Sequence, residues 1–287
     1  MQAVSIAKLA PRNKRIKTCG LTFMRLAYNT NQPGYNAPRV VISAFGVHTH
    51  CSMTTNKQIQ MIMRDMLFIT WAVQPETVRK LVDARLELDT KTDSNGQAVA
   101  FVSAVCFHVG DVRSSVLPLP SLSFQQVNYR TYVRAREVPA VCFLDMKVNS
   151  RMVTALTGFM SVPIHYEDIE ITTSPVGLGL LRYAIKSRGL RADAMIGPHD
   201  AESTLAVRVE PGFITHRLVG YMGAGNGMFR IDVQQPGLDA VSACIENVQA
   251  PSLQQLGLLT PDQTALPCSA LYVREASFGA DTPVREW

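Results

Sequence analysis

Asn128-Tyr129-Arg130-Thr131-Tyr132-Val133-Arg134 is the stretch on which the fold turns. Side chains alternate across a strand, so Asn128, Arg130, Tyr132 and Arg134 share one face while Tyr129, Thr131 and Val133 share the other. Ala140 to Met146, just downstream, is almost entirely apolar, as expected of a strand buried on both sides. Together they place a central pair of strands in the middle of the chain.

Working toward the N-terminus, Val99 to Val109 is a further apolar strand, and Ser94-Asn95-Gly96 before it signals a hairpin because Asn-Gly accepts positive φ. Arg85 to Thr90 alternates and forms the opposing strand. Pro75 suits a helix first turn, and Val78, Leu81 and Val82 recur at helical spacing, which predicts a short helix over 75–82 after a strand at Met66 to Val73. Pro118 and Pro120 mark a loop. Toward the C-terminus, Met152, Val153, Leu156, Phe159 and Met160 fall on one helical stripe between a Ser150 N-cap and Pro163, predicting a core-packed helix of about ten residues. Strand candidates then follow in series: Ile164 to Ile171, Leu180 to Ser187, Ala192 to Ile196, Thr204 to Val209, Phe229 to Gln234, Val241 to Asn247 and Ala270 to Glu275. Many short strands and one or two short helices predict a mainly β (α+β) domain. Its antiparallel strands close, or nearly close, into a barrel or double sheet, because an open sheet leaves reactive edges.

Composition agrees with one packed domain. Of 287 residues 47% are hydrophobic and 18% charged, a globular balance. The longest apolar run, Ala98 to Val109, is broken by Ser103 and His108 and falls short of the ~18 residues a spanning helix needs. Residues 1–52 hold Lys8, Arg12, Lys14, Arg15, Lys17, Arg25 and Arg39 and no acid. The remainder keeps 28 less those seven, 21 basic residues, against all 23 acids, so the net charge of +5 belongs to the leading segment and gives no case for nucleic acid. That segment reads as a poorly ordered basic extension, and Met53 as an alternative start of a single domain over 53–287. Six scattered cysteines without C-x-x-C read as reduced core thiols, which points to the cytoplasm.

The motifs Leu67-Phe68-Ile69-Thr70-Trp71-Ala72-Val73, Leu86-Glu87-Leu88-Asp89, Asn128-Tyr129-Arg130-Thr131-Tyr132-Val133-Arg134, Phe143-Leu144-Asp145 with Ser150-Arg151, and Val162-Pro163-Ile164-His165-Tyr166 resemble the YqjF-like proteins, a family of unknown function. The likeness runs from about Met61 to Ala276. It implies the fold of acetoacetate decarboxylase, with an enclosed interior cavity. In that enzyme a lysine pair precedes a Gly-Tyr-Pro, and one lysine forms a Schiff base with the substrate. The matching positions here are Gly158 and Phe159, so the imine-forming amine is missing.

Arg130 is the leading candidate. An inward guanidinium needs an anionic ligand or a structural partner such as Asp145 or Glu87. On the ligand reading Arg130 takes a carboxylate, Asn128 and Tyr132 orient it, and Asp145, His165 and Tyr166 complete the binding set. His165 beside Glu167, on a face shared with Ile169 and Ile171, reads either as a general base or as a structural histidine. Lys147 and Lys186 are the amines that could replace the missing lysine. His48-x-His50-Cys51 and His199-Asp200-x-Glu202 have ligand-type residues but too few for a metal centre. The glycine run Gly220 to Gly227 reads as a hairpin turn, since it lacks the order of a phosphate loop. The resulting expectation is a protein that binds a small anionic or carbonyl-containing molecule, with no metal or cofactor and neither nucleic acid nor membrane as partner. Self-association into a homo-oligomer is compatible with this expectation, and two alternatives stay open: a decarboxylase- or hydrolase-like enzyme using Lys147, Lys186 or His165, and a structural homodimer with a filled interior.

Overall fold

The computed structural model describes residues 58–115, 122–159, 162–197, 209–224 and 227–287. In chain order the elements are β1 (Gln58–Val73), α1 (Pro75–Arg79), β2 (Glu87–Leu88), β3 (Lys91–Thr92), β4 (Ala98–Ser114), β5 (Phe124–Ala135), β6 (Val138–Val148), α2 (Arg151–Phe159), β7 (Ile164–Tyr166) and β8 (Ile169–Gly177). They continue with β9 (Leu180–Ser187), β10 (Arg191–Ile196), α3 (Pro211–Thr215), β11 (Val219–Ala224), β12 (Gly227–Gln234), β13 (Val241–Gln249), α4 (Pro251–Gln255), α5 (Pro261–Thr264), β14 (Ser269–Asp281) and β15 (Val284–Arg285).

The long strands pair in the order β12-β11-β6-β5-β4-β1-β14, and β12 pairs in turn with β14 through Val233 with Ala280 and Gln234 with Gly279. The path therefore closes into a ring. Closing a sheet requires strands to bend. The register shifts between β1 and β4 at Gln60/Ile62 and Arg64/Leu67 supply that bend, with Asp65 and Asp111 both at φ 50°. A second sheet, β8-β9-β10-β13, joins the ring at β14. The alternation of β5 is then legible in the packing. Val127, Tyr129 and Val133 belong to the core shared with Tyr183, Ile185 and Ala194 of the second sheet, whereas Tyr132 packs inside the ring with Phe68, Phe101, Phe107 and Phe278.

The β-dominated class and the interior cavity agree with the sequence reading, with three corrections. The sheet is mixed, because β6 pairs in parallel with both β7 and β11. Among the described residues five short helices occur, most opening with a proline at the first turn and too brief to show a stripe. The expected strand from Ile164 to Ile171 is two strands separated by Glu167 and Asp168, so His165 is exposed while Glu167 is buried and accepts from Gly189 N at 2.9 Å.

The Asn95-Gly96 turn is present, with positive φ at Gly96 alone (79°) and Asp93 Oδ1 accepting from the amides of Asn95 and Gln97, but it joins β4 to β3, whereas the strand expected opposite β4 over 85–90 is only β2, which pairs with β5. The glycine run lies in the β11–β12 hairpin, in which Ala224 stands opposite Gly227. Ser150 caps α2, its Oγ accepting from Val153 N at 3.3 Å. Of the stripe on that helix Val153 and Leu156 pack inward, about 1.5–3 kcal/mol for each if fully buried, but Met152 is 49% exposed and is not core. Cys106 and Cys142 are buried free thiols, burial pushing Cys142 up to about 12, whereas Cys244 is exposed. The strand expected at Thr204 to Val209, His48-x-His50-Cys51, His199-Asp200-x-Glu202, Cys19 and Cys51 lie wholly or almost wholly outside the described residues. Among those described, no helix is long and apolar enough to cross a membrane.

Candidate functional site

The even-numbered face of β5 runs along the inside of the ring, and two adjoining hollows lie against it. The larger, about 260 Å³, is lined by Gln126 and Asn128 of β5, Phe143 and Met146 of β6, Leu156 and Thr157 of α2, and Val162 and Ile164 beyond it, among others. The smaller, about 100 Å³, is lined by Asn128, Arg130, Phe68, Val141, Phe143, Thr215, Arg217 and Gly220, among others. Asn128 and Phe143 border both. Two hollows thus lie beside the inner face of β5 among the described residues.

Phe143 reaches this face because of a local irregularity. Between Tyr129 and Arg130 the β5–β6 register slips: Tyr129 faces Asp145, but Arg130 faces Phe143, leaving Leu144 as an extra residue. Such a bulge re-aims side chains on one strand. Phe143 and Met146 consequently both line hollows, while Asp145 and Lys147 turn to the opposite side of β6. Gly220 on the neighbouring β11 completes the arrangement, since a Cβ there would stand 2.7 Å from Phe143 Cε2 and 3.0 Å from Ile231 Cγ2.

Arg130 pairs with neither Asp145 nor Glu87. Its Nη2 donates to Ile214 O of α3 at 2.7 Å, and its Cζ lies 5.3 Å from the Phe68 ring centroid and 5.5 Å from that of Tyr132. Its Nε is buried with no partner, and Nη1 makes no hydrogen bond among the described residues. Arg217, unremarked in the sequence, is the second cation of the smaller hollow. It is held by Asp89 Oδ2 at 2.7 Å and Phe213 O at 2.8 Å, and stacks 4.3 Å from the Phe213 centroid. Arg217 is thus compensated and Arg130 is not.

The other candidates fall into separate places. Tyr132 lies against Arg130, yet its hydroxyl is engaged with Ser103 Oγ at 2.7 Å, which in turn meets Thr70 Oγ1 at 2.7 Å, a buried hydroxyl chain. Asn128 Oδ1 accepts from Gln126 Nε2 at 2.6 Å. Asp145 binds Lys147 Nζ at 3.0 Å and His165 Nδ1 at 3.3 Å on the outside of β6, with His165 60% exposed. Tyr166 donates to Asp168 and lies 4.2 Å below the Arg151 guanidinium. Lys186, on β9, borders a shallow surface depression with Asn149 and Glu170. Among the described residues no lysine lines either hollow, and Gly158, where the resemblance puts a lysine, stands exposed near the end of α2. Nor do any three metal-ligating side chains gather among those residues.

A closed ring with an interior hollow and a second sheet packed on it defines an acetoacetate decarboxylase-like fold. Acetoacetate decarboxylase from Legionella pneumophila superposes with a TM-score of 0.54 at 10% identity, covering 81% of this chain and 88% of that one. The enduracididine biosynthesis enzyme MppR, complexed with the condensation product of pyruvate and imidazole 4-carboxaldehyde, gives 0.52 at 12% identity over 82% and 92%. An acetoacetate decarboxylase-like enzyme from Sphingomonas wittichii RW1 gives 0.50 at 12% identity over 85% and 98%. Within that class the chain belongs to DUF2071, a family described as uncharacterized conserved protein, which it matches over residues 60–273. The uncharacterized protein YqjF of Bacillus subtilis (strain 168) is 33% identical over 109 residues, 37% of this chain and 43% of that relative, so the match spans under half of YqjF.

Proposed function

We propose that this chain binds a small anionic or carbonyl-containing molecule inside the ring, with Arg130 as its anchor and without imine chemistry. The observation that carries the reading is the Arg130 guanidinium, which faces a hollow with two nitrogens unpartnered and no carboxylate paired to it among the described residues. A cation in such a place is costly unless an anion joins it, and a planar guanidinium matches a carboxylate. The MppR complex, which holds a pyruvate-derived product on the same fold, supports the ligand class. The buried free thiols Cys106 and Cys142 suit the cytoplasm, and residues 53–287 serve in this proposal as its single domain.

The test combines trapping and binding. Borohydride added in the presence of acetoacetate or pyruvate is expected to leave Lys147 and Lys186 unmodified by peptide mass analysis, whereas an adduct at either lysine would move the protein to the decarboxylase class. Arg130→Met is expected to lower affinity for bound carboxylates at least ten-fold while far-UV circular dichroism stays unchanged. Retained affinity in a folded variant would remove Arg130 from the site.

A further inference from the structure

We infer that the ligand is a monocarboxylic acid with an apolar body: the carboxylate against Arg130 in the smaller hollow, the body extending past Asn128 into the larger one. This rests on the reading of Arg130 as an anion anchor and adds the chemistry of the rest of the molecule.

Three observations converge on it. The two hollows share Met63, Phe107, Asn128, Phe143, Val233 and Phe278 as walls, so they adjoin directly, a head group in one lying next to the apolar space of the other. The larger is walled mainly by Ile, Met, Phe, Val and Leu side chains, and a polar ligand body there would lose hydration without regaining hydrogen bonds. Its volume of about 260 Å³ exceeds the about 150 Å³ that admits benzene and lies below the about 300 Å³ at which drug-sized sites begin. The body is therefore that of a medium-length aliphatic or single-ring acid.

The charges set the valence of the head group. Arg217 is already neutralised by Asp89, which leaves Arg130 as the single uncompensated cation in the smaller hollow among the described residues and favours one negative charge over a phosphate dianion. Asp281 also lines the larger hollow with its Oδ1 buried and unpartnered, so a second carboxylate on the ligand would meet an acidic side chain there and not a cation.

Isothermal titration of the wild-type chain with acetate, butyrate, hexanoate and octanoate, and with suberate and 1-octanol as controls, decides the matter. Affinity is expected to rise by up to about four-fold per methylene as the body enters the larger hollow. Suberate should bind more weakly than octanoate, and Arg130→Met, checked for folding by circular dichroism, should lose octanoate binding at least ten-fold with no change toward octanol. If acetate binds as tightly as octanoate and both need Arg130, the apolar-body inference is overturned while the anion anchor stands. If octanoate binds Arg130→Met as well as wild type, the anchor itself falls. If no acid binds the folded wild-type protein at any length, both are wrong.

Discussion

Tyr132 illustrates how far the face of a side chain is from its role. Its ring walls the Arg130 guanidinium, but its hydroxyl is spent on Ser103, which is bound to Thr70, all three buried. Tyr132→Phe is therefore expected to leave carboxylate affinity within two-fold in titration. It should lower stability by about 1 kcal/mol in urea unfolding, the usual value of one such hydrogen bond. Asp89 has the opposite character. It neutralises Arg217, whose side chain is only 4% exposed, so Asp89→Ala leaves a buried cation alone and is expected to cost about 3 kcal/mol by denaturant titration. Arg130, part-buried and 5.3 Å from Phe68, has no such carboxylate among the described residues. No spacing in the sequence distinguishes the two arginines, because the partner of Arg217 comes from a residue 128 positions away.

Among elements, the β5–β6 pair matters most. Alternation along β5 is plain in the sequence and holds throughout, whereas the slip opposite Leu144 is not, since a bulge changes which neighbour a residue faces without changing the hydrophobic pattern. That slip turns Asp145 away from Arg130 and brings Phe143 toward it. Gly220 on β11 is the counterpart that lets Phe143 lie flat against the next strand. Gly220→Val is expected to displace the Phe143 ring, weakening carboxylate binding and lowering the melting temperature by several degrees, as measured by calorimetry. Normal binding and melting in that variant would show that β11 yields instead. His165 and Lys147 belong to the same story: the parallel pairing of β6 with β7 sets Met146 beside Ile164 inside and Lys147 beside His165 outside.

Over the whole molecule, the ring joins residues far apart in the chain, and one half-buried imidazole among them predicts a loss of stability toward acid. His108 on β4 is half-buried, and burial lowers its pKa from the ordinary 6.5, with Arg64 acting in the same direction and Asp65 against it. A depressed histidine pKa means that the unfolded chain takes up the proton first. Stability is therefore complete above about 6.5 and declines as pH falls below it, until the folded state also protonates. His108→Gln is expected to flatten this part of the stability profile between pH 7 and 5, followed by urea midpoints, and an unchanged slope would assign it to other groups.

The sequence by itself determined the β-rich class, the positions of most strands, the Ser150 cap, the Asn95-Gly96 turn and the shared face of Asn128, Arg130 and Tyr132. All of these rest on local stereochemistry: the two-residue strand period, capping and the tolerance of glycine for positive φ. Tertiary structure alone decided what met them there. The closure of β12 on β14, the bulge at Leu144, the Asp89–Arg217 pair and the hollow beside Arg130 depend on contacts between segments tens to hundreds of residues apart. Such contacts follow from how the strands bend and register, which no short stretch of chain encodes.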